Sequence, residues 1–552
     1  SIVILIATGL GIVAHWFRQP TLLAYLATGA LIGYFGFFQL GDRETFHLLS
    51  DLGIMFLLFL VGLEVNYDAV RLFGKTSLII GFGQIVVTFL AGFGISYVLG
   101  FSFITASYIS IALTFSSTIV VIKLLGDKRE LNSLYGRISI GFLLVQDIIA
   151  VVILIALSGI GADGTVHALP MTLALLKGAI LFGVTLYLGR TFFPMVFDTI
   201  ARSAELLFIA SIAWVFLLAA VVYRIGFSIE IAGFLAGVAL ANSSENFQIA
   251  SRVRPLRDFF IVIFFVLLGS SLTSVPFAGQ GSAIVALSLF VLVGNPLILL
   301  VIMGAMGYRR RTSFLAGITV AQISEFSLVL VARGLDLGHI PQSAVATVTT
   351  VGIVTMVFSS YLIMHGDKIF DRIGRFLKVF ERSNASEEGF LLTPIHKPIV
   401  LIGCHRIGQG IAWNLPKQHF LVVDFDPEIY KKLSHEGVDC LFGEIRDEEI
   451  FEKANVLEAR MVISTSPSFE DNAALIGRIV SATGQKPKII VRSETEQEAE
   501  ILYGMGADYV LLPHLTSGNY LGKAIAADPY LTILDQLKRR DLQFIRMIRA
   551  AA

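Results

Sequence analysis

The sequence predicts a polytopic α-helical membrane protein followed by a soluble α/β domain, and three observations support this fold class. Hydrophobic residues make up 55% of the 552-residue chain and charged residues only 15%, and the mean hydropathy is +0.77, far more apolar than a soluble chain of this length tolerates. Long apolar stretches follow one another as far as about residue 365. Beyond that point lie most of the charged residues, and short β-branched runs alternate with helical stretches.

About thirteen apolar stretches have the roughly 17 to 25 residues that a helix needs to cross a bilayer. They lie near residues 1–17, 20–39, 47–66, 76–99, 103–125, 134–159, 168–190, 204–223, 226–242, 257–273, 282–306, 312–333 and 343–365. Loops after the odd-numbered stretches carry about fifteen Lys and Arg residues, whereas loops after the even-numbered stretches carry only three, Arg43, Arg224 and Arg333. This bias predicts that the N-terminus lies outside and that the C-terminal domain lies in the cytoplasm.

The overall charge and the cysteines exclude several classes of function. Lys+Arg and Asp+Glu are equal in number, 42 of each, so the chain has no net charge that would attract nucleic acid, and none is expected as a partner. The two cysteines, Cys404 and Cys440, have no metal-ligand spacing. Neither a zinc site nor a disulfide framework is therefore expected, and a reducing, cytosolic setting fits them. The lipid bilayer is the partner that the composition predicts.

The chain divides into three predicted parts: a transmembrane domain over residues 1–366, an amphipathic connector and linker over 367–396, and a soluble domain over 397–552. In the soluble part, helical stretches separate six runs rich in β-branched residues, which predicts a parallel, Rossmann-like sheet. The runs are Pro398–Gly403, Phe420–Asp424, Asp439–Gly443, Met461–Thr465, Lys488–Arg492 and Asp508–Pro513.

A candidate nucleotide site follows the first predicted strand, at Gly403-Cys404-His405-Arg406-Ile407-Gly408, where a dinucleotide fingerprint would read Gly-x-Gly-x-x-Gly. His405 replaces the middle glycine, which weakens the case for a tightly bound dinucleotide but leaves a helix N-terminus for phosphate. Asp424 ends the second strand, where a carboxylate would hold ribose hydroxyls, and Arg406 could contact phosphate. The alternative is that the glycines only close the turn and that Asp424 only caps the next helix. A redox enzyme is not expected, because no second, substrate-binding domain follows the sheet.

The candidate site in the membrane centres on Asp147, near the middle of an apolar run, where an ionised carboxylate is costly and indicates ion or proton transport. Gln146 precedes it, although neighbouring helical residues point about 100 degrees apart. In the previous span, the run Thr114-Phe115-Ser116-Ser117-Thr118 clusters four hydroxyl groups at membrane depth. Their oxygens could satisfy the carbonyl groups of a broken helix or bind a small cation.

A second polar interruption, Gln-Ile-Ser-Glu-Phe over residues 322–326, places Glu325 at membrane depth. Two interruptions in separate halves predict paired discontinuous helices around a midplane site, as inverted-repeat transporters have. An alternative stays open for the hydroxyl residues, because Ser and Thr in membrane helices often bond back to their own carbonyl groups. Glu64 and Glu230 lie near predicted helix ends and could be interfacial or structural, and Lys177 could pair with an acid or extend to the interface.

Seven sequence motifs, in this order and spacing, resemble Kef-type members of the monovalent cation:proton antiporter-2 family, transporters joined to a cytoplasmic RCK (KTN, TrkA-N) domain. The motifs are Leu58–Glu64, Ser116–Thr118, Leu144–Ile148, Gly233–Gly237, Phe264–Gly269, Gln322–Phe326 and the turn at Gly403. The resemblance covers nearly the whole chain, and its specificity comes from the motifs taken together.

For the membrane domain, the resemblance implies an NhaA-like fold of about thirteen spans with inverted repeats and discontinuous crossing helices. It implies a homodimer, formed through the membrane and RCK domains, in the bacterial cytoplasmic membrane. Cytosolic K⁺ would exchange for protons, with Asp147 holding cation and proton in turn and Gln146 in the place of a second acid. A single buried carboxylate fits this exchange, because cation and proton cannot occupy it comfortably together. The implied ion-binding set is Asp147, Gln146, Thr114, Ser116, Ser117 and Glu325, with K⁺ or Na⁺ at Asp147.

For the soluble domain, the resemblance implies a ligand-gated switch that binds AMP or NAD(H), and some members also sense glutathione. The implied nucleotide-binding residues are Gly403, His405, Arg406, Ile407, Asp424, Phe425 and Arg492. Arg406 and Arg492 would lie near phosphate or glutathione. A cytosolic ancillary subunit would be a further partner.

Three residues depart from the family pattern: Asn295 stands where many relatives have a lysine, His405 replaces a glycine, and Glu230 replaces a small or apolar residue. A sodium/proton antiporter of the same fold stays open, because oxygen ligands around a Gln-Asp pair do not choose between Na⁺ and K⁺. An RCK-gated channel is less favoured, because the sequence has no Thr-Val-Gly-Tyr-Gly filter and has an intramembrane acid. A membrane oxidoreductase would need a flavin, a haem or a cysteine pair. The sequence therefore predicts a transporter and not an enzyme.

Overall fold

The computed structural model of the chain describes residues 2–17, 19–35, 43–64, 67–128, 130–131, 133–157, 168–193, 203–241, 243, 245–271, 280–380, 395–443, 445–446, 448–527, 534–539 and 541–542. Contacts between residues divide the chain into two compact units, Ser1–Ala385 and Ser386–Ala552. The division falls among residues 381–394, which lie outside the described residues. The domain boundaries expected after residues 366 and 396 stay predictions.

The first unit is built of helices. In chain order they are α1 (Ile2–Trp16), α2 (Thr21–Phe35), α3 (Arg43–Glu64), α4 (Tyr67–Val98), α5 (Phe103–Thr114), α6 (Thr118–Asp127), α7 (Leu134–Leu157), α8 (Ala168–Thr191), α9 (Ala204–Arg224), α10 (Ile229–Leu240), α11 (Asn246–Ser271), α12 (Gly281–Leu289), α13 (Asn295–Ala305), α14 (Arg310–Thr319), α15 (Glu325–Asp336), α16 (Gln342–Met364) and α17 (Gly366–Ile373). A π-helix, Phe290–Gly294, joins α12 to α13, and a 3₁₀-helix, Phe376–Phe380, follows α17.

Among the described residues, six helical segments are long and apolar enough, by length and composition, to cross a membrane. They are Thr76–Val98, Phe103–Asp127, Leu134–Leu157, Glu205–Arg224, Gly281–Ala305 and Gln342–Met364. Shorter apolar helices accompany them, at Val3–Trp16, Thr21–Phe35, Leu48–Leu63 and Ile229–Leu240. These helices agree with a polytopic membrane domain, whereas the count of thirteen spans stays a prediction.

The closest helix pairs of this unit fall into two groups. In one, α3 packs against α10 and α11, and α11 packs against α2; in the other, α4 packs against α5, α7 and α13, α13 packs against α14, and α15 packs against α5 and α16. Glycines let α3 and α10 approach backbone to backbone: a Cβ on Gly237 would lie 2.1 Å from the carbonyl oxygen of Phe59, and one on Gly233 would lie 2.2 Å from that of Met55. Small residues at such contacts are typical of helix pairs inside membranes.

Two helices of the second group are interrupted, as the polar motifs predict. The chain is extended between α5 and α6, and again before α15, and a serine accepts a hydrogen bond from the first turn of each following half-helix. Ser117 caps α6 through the N–H of Val120 (3.3 Å), and Ser324 caps α15 through the N–H of Phe326 (3.1 Å). The N–H of Ser324 donates to the carbonyl oxygen of Phe115 at 2.9 Å, so the two interruptions lie against each other.

Helix α17, which begins the predicted connector, is attached to both interrupted helices by ion pairs. Asp367 Oδ2 lies 3.1 Å from Nζ of Lys128, which follows α6, and Oδ1 lies 2.6 Å from a guanidinium nitrogen of Arg311 in the first turn of α14. Burial alone would raise the pKa of Asp367, but these two cations outweigh it and hold the pKa below its usual value. The connector is therefore joined electrostatically to α6 and α14.

The second unit contains a parallel sheet of six strands in the order β3-β2-β1-β4-β5-β6, which confirms the predicted Rossmann-like domain. The strands are β1 (Ile399–Ile402), β2 (Phe420–Asp424), β3 (Cys440–Phe442), β4 (Met461–Ser464), β5 (Lys488–Arg492) and β6 (Tyr509–Leu511). Val400, Leu421, Val462 and Val491 are fully shielded from solvent in its core. Strand order reverses between β1 and β4, and in sheets of this order ligands bind beyond the carboxyl ends of the strands at that point.

Candidate functional site

Asp147 lies in the middle of α7 and is buried, with 3% of its surface exposed. The hydroxyl of Thr118 donates to Asp147 Oδ2 at 2.9 Å. Thr118 is the first residue of α6, so the carboxylate lies at the N-terminal end of a half-helix, where the helix dipole stabilises negative charge. The start of α6 therefore favours negative charge on the Asp147 side chain.

Gln146 connects α7 to the same interruption through its amide group. Its Oε1 accepts from the backbone N–H of Ser116 at 3.1 Å, and its Nε2 donates to Gln84 Oε1 in α4 at 2.7 Å. Gln146 and Ser116 are fully buried. Although adjacent residues point apart on a helix, Gln146 contacts Ser116 between α5 and α6, and Asp147 contacts Thr118 at the start of α6.

A chain of neutral polar groups continues from Gln84 across α4. Gln84 Nε2 donates to the hydroxyl of Thr88 (3.1 Å) and to the carbonyl oxygen of Thr114 (3.3 Å). Thr88 donates to Asn295 Oδ1 (3.3 Å), and Asn295 Nδ2 donates to the carbonyl oxygen of Leu113 (3.0 Å). Asn295 thus bonds to one hydroxyl and one carbonyl group.

The hydroxyl residues of the first interruption differ in their partners. Thr114 donates to the carbonyl oxygen of Ile111, within its own helix, at 2.7 Å, which agrees with the alternative that such hydroxyls bond back to the backbone. Ser116 Oγ donates to the carbonyl oxygen of Val320 at 3.4 Å and so reaches the second interruption. Thr118 lay in one of the sequence motifs but outside the predicted ion-binding set, and its hydroxyl donates to Asp147. The roles of all these residues stay predictions.

Glu325 is the first residue of α15 and is 2% exposed. Its Oε2 accepts from the hydroxyl of Ser324 at 3.3 Å. Gln322, in the same interruption, accepts a hydrogen bond from Ser359 in α16 at 2.8 Å. Glu325 is therefore a second buried carboxylate, after Asp147, beside the two interruptions.

The remaining acidic and basic candidates lie elsewhere in the unit. Glu230 is buried in the first turn of α10, away from both interruptions in sequence, and Lys177 is exposed on α8. The side chain of Glu64 lies outside the described residues. Their functions stay predictions.

In the second unit, Asp424 joins the turn after β1 to the end of β2. Gly403 has φ +79°, a conformation that favours glycine. Asp424 Oδ2 accepts from the N–H of Cys404 at 2.6 Å and Oδ1 from the N–H of Asp426 at 2.9 Å. Burial raises the pKa of Asp424 above its usual value, although both N–H groups favour the ionised form. The exposed ring of His405 approaches Asp426 at 3.5 Å.

Arg492 lies at the carboxyl end of β5, on the other side of the switch between β1 and β4. It donates to the carbonyl oxygen of Thr465 at 3.4 Å and pairs with Glu494. Thr465 also donates to the carbonyl oxygen of Gly403 at 2.9 Å, so it contacts both candidate regions. Ile407 and Phe425 are half-buried beside the turn, and the side chain of Arg406 lies outside the described residues.

Gln84, Thr88 and Thr465 were not among the residues predicted from the sequence. Gln84 and Thr88 are four residues apart in an apolar helix, and that spacing, which places both on one face, was the available signal. Thr465 follows a buried strand at the carboxyl edge of the sheet, where binding residues cluster in parallel folds.

Comparisons with known proteins agree with this architecture. The family model described as sodium/hydrogen exchanger, transmembrane, matches residues 2–364, and the TrkA-N domain model matches residues 399–513. The putative cation/proton antiporter YbaL of Escherichia coli (strain K12) is 27% identical over 91% of this chain and 92% of its own length. The putative K(+) efflux antiporter KefB of Alkalimonas amylolytica is 26% identical over 91% of this chain and 77% of its own length.

A solved structure, the sodium proton antiporter MjNhaP1 of Methanocaldococcus jannaschii, aligns with a TM-score of 0.53 and 15% identity over 68% of this chain and 96% of that chain. This likeness shows the antiporter fold. It confirms the predicted fold class, and the two family models and the two relatives confirm the resemblance to Kef-type antiporters. The chain belongs to the sodium/hydrogen exchanger family and carries a TrkA-N domain after its membrane unit.

Proposed function

We propose that this chain exchanges K⁺ for protons across the bacterial cytoplasmic membrane and that Asp147 binds the two ions in turn. The place of Asp147 carries the proposal: its carboxylate is 3% exposed and accepts a hydrogen bond from the first residue of a half-helix. A carboxylate at this depth is costly without an ion or proton to bind. The names of the relatives, cation/proton antiporter and K(+) efflux antiporter, support the same activity.

Oxygen atoms around Asp147 would replace the water that a cation loses on binding. Candidates are the Thr118 hydroxyl, Gln146 Oε1 and the carbonyl groups of the extended segment after α5. When the carboxylate takes up a proton it loses the charge that attracts the cation, so one ion leaves as the other binds. This competition is the basis of exchange.

The two interrupted helices would carry the site together. The N–H of Ser324 donates to the carbonyl oxygen of Phe115 (2.9 Å), and the hydroxyl of Ser327 donates to the carbonyl oxygen of Ala112 (2.6 Å). Because these bonds join α15 to α5, a movement that opens the site to the opposite face would move both helices. The close glycine contacts between α3 and α10 would provide a rigid group against which they move.

Sodium/proton exchange at the same site is the second candidate. The ligands around Asp147 are hydroxyl, amide and carbonyl oxygens, which bind either alkali cation, and the matching family is described as sodium/hydrogen exchanger. Ion competition in the transport assay separates the two candidates.

The TrkA-N domain would gate exchange by binding AMP or NAD(H) at the carboxyl edge of its sheet. The turn at Gly403, the buried Asp424 and the guanidinium of Arg492 support this, because Thr465 connects the turn to Arg492 across the switch point. Glutathione is a further candidate ligand for Arg492 and Arg406.

We further infer a homodimer through both domains and a cytosolic ancillary subunit as regulator, on the resemblance to Kef-type antiporters. The distribution of Lys and Arg among the loops supports an N-terminus outside and a TrkA-N domain in the cytoplasm.

The test is proton flux in proteoliposomes after addition of K⁺ or Na⁺, for the wild type, Asp147→Asn and Asp258→Asn. Asp258 is an exposed carboxylate paired with Arg257, so its variant is the matched control. We expect K⁺-driven flux in the wild type and control, none in Asp147→Asn, and a response to AMP or NADH. Flux that persists in Asp147→Asn, or current without proton coupling, contradicts the proposal.

A further inference from the structure

The hydrogen bonds around Gln84 fix which way two buried amide groups face. An amide can be turned over so that its oxygen and nitrogen exchange places, and the surrounding donors and acceptors decide between the two orientations. Gln84 and Gln146 share one hydrogen bond, from Nε2 of Gln146 to Oε1 of Gln84, at 2.7 Å. The orientation of one amide therefore determines that of the other.

Two backbone groups at the ends of this pair allow only one orientation. The carbonyl oxygen of Thr114 can only accept, and it lies 3.3 Å from Gln84 Nε2. The N–H of Ser116 can only donate, and it lies 3.1 Å from Gln146 Oε1. Turning both amides over would place oxygen against oxygen at Thr114 and N–H against N–H at Ser116. Gln84 and Gln146 are both fully buried, so water does not relieve such contacts.

The result is that Gln146 presents its oxygen, and not its NH₂ group, to the interruption beside Asp147. One lone pair of this oxygen accepts from Ser116, and an amide oxygen has a second lone pair for a cation. In the opposite orientation, the positive end of the amide dipole would face the site and repel a cation.

We propose that Gln84 is a positioning residue for cation binding, because it holds Gln146 with its carbonyl oxygen toward the interruption between α5 and α6. This inference rests on the proposed function, in which the cation binds beside Asp147. Gln84 itself lies behind Gln146, in α4, and acts through it.

The test compares the K⁺ concentration for half-maximal flux, KM, and the maximal flux in proteoliposomes. The variants are Gln84→Met, Gln146→Met and the double variant, since methionine has a similar length and no amide. We expect Gln84→Met to raise KM about tenfold, the effect of one lost polar contact to an ion, with maximal flux within about twofold. The double variant should match Gln146→Met alone, because residues that act through one contact are not additive.

Two further variants separate positioning from a structural role. Thr88→Val removes the branch toward Asn295 but leaves Thr114 and Gln146 bonded to Gln84, so its KM should stay near the wild-type value. Gln84→Glu, when protonated, can accept from Gln146 and donate to Thr114, so it should restore a KM near wild type. This variant also keeps the test open if Gln84→Met does not fold.

An unchanged KM in Gln84→Met, or effects of the two single variants that add in full, overturns the inference. An equally raised KM in Gln84→Glu and Gln84→Met overturns it too. The proposed function is tested separately, because flux that persists in Asp147→Asn would contradict it. If Asp147→Asn loses flux but Gln84→Met keeps the wild-type KM, only the role proposed for Gln84 is wrong.

Discussion

Replacement of Thr118 by valine tests whether the hydrogen bond to Asp147 sets the competition between proton and cation. Valine keeps the shape of threonine and removes the hydroxyl that donates to Asp147 Oδ2 at 2.9 Å. The hydroxyl stabilises the ionised carboxylate more than the protonated one, because a donor bonds more strongly to a negative charge. Its loss should therefore favour the proton over K⁺.

The size of the effect follows from the geometry of this bond. Asp147 and Thr118 are 3% and 5% exposed, so water does not replace the lost donor. A hydrogen bond to a charged group contributes about 1.5–3 kcal/mol, and about 1.4 kcal/mol corresponds to a factor of ten in an equilibrium constant. The KM for K⁺ near neutral pH should rise about tenfold or more, and the difference from wild type should shrink as the pH rises and protons become scarce.

The assay is K⁺-driven proton flux in proteoliposomes from about pH 6 to about pH 9, with Thr118→Ser as the matched control. Serine keeps the hydroxyl that donates to Asp147 and removes only the methyl group of Thr118. The control should keep a KM near the wild-type value at every pH. Equal KM values for Thr118→Val and Thr118→Ser would refute the reasoning, and so would a rise in the KM of Thr118→Val that does not depend on pH.

Three further predictions concern stability and reactivity. Gly237→Ala should destabilise the membrane unit by about 1–3 kcal/mol, because its Cβ would lie 2.1 Å from the carbonyl oxygen of Phe59, whereas a Cβ on the control Gly94→Ala would meet open space. Melting temperatures in detergent compare the two variants, and equal values would contradict the close contact between α3 and α10. Asp367→Asn should lower stability at neutral pH by at most about 1 kcal/mol per ion pair, since the Asp367 side chain is 39% exposed. Because its pKa is lowered in the folded chain, this difference should be present above about pH 4 and vanish as the pH falls further, and a difference that grows on acidification would contradict the pairing. Burial, with the nearby Asp424, raises the pKa of Cys404 to about 12, so iodoacetamide should modify it at neutral pH only after denaturation, and rapid modification of the native chain would disprove this.

The sequence predicted those features that depend on local pattern. Each strand was recognisable as a short β-branched run between turn residues, and Asp147 was recognisable because a charge inside an apolar span is costly. The interruptions near Ser116 and Ser324 followed from polar clusters in otherwise apolar helices, since an exposed backbone at membrane depth needs such partners.

Contacts between distant residues could not be predicted in the same way. The bond between Thr88 and Asn295 spans 207 positions and that between Gln84 and Gln146 spans 62, so no periodicity reveals them. Uncharged polar residues are also common in membrane helices, where they bond to the backbone. Thr114 and Thr118 had the same sequence signal, and their different hydrogen-bond partners follow from the points at which α5 ends and α6 begins.

The π-helix at Phe290–Gly294 lets one span present different sides to different neighbours. The N–H of Asn295 donates to the carbonyl oxygen of Phe290, five residues back, so this turn holds one residue more than a regular helical turn. Before it, α12 packs chiefly against α16 and less extensively against α4, and after it, α13 packs against α4 and α14. One residue corresponds to about 100 degrees of rotation about a helix axis. Shortening the π-helix by one residue would therefore rotate α13 as a whole and turn Asn295 away from Thr88. The hydrogen bond between these two residues would be lost even though no side chain of the network had been replaced.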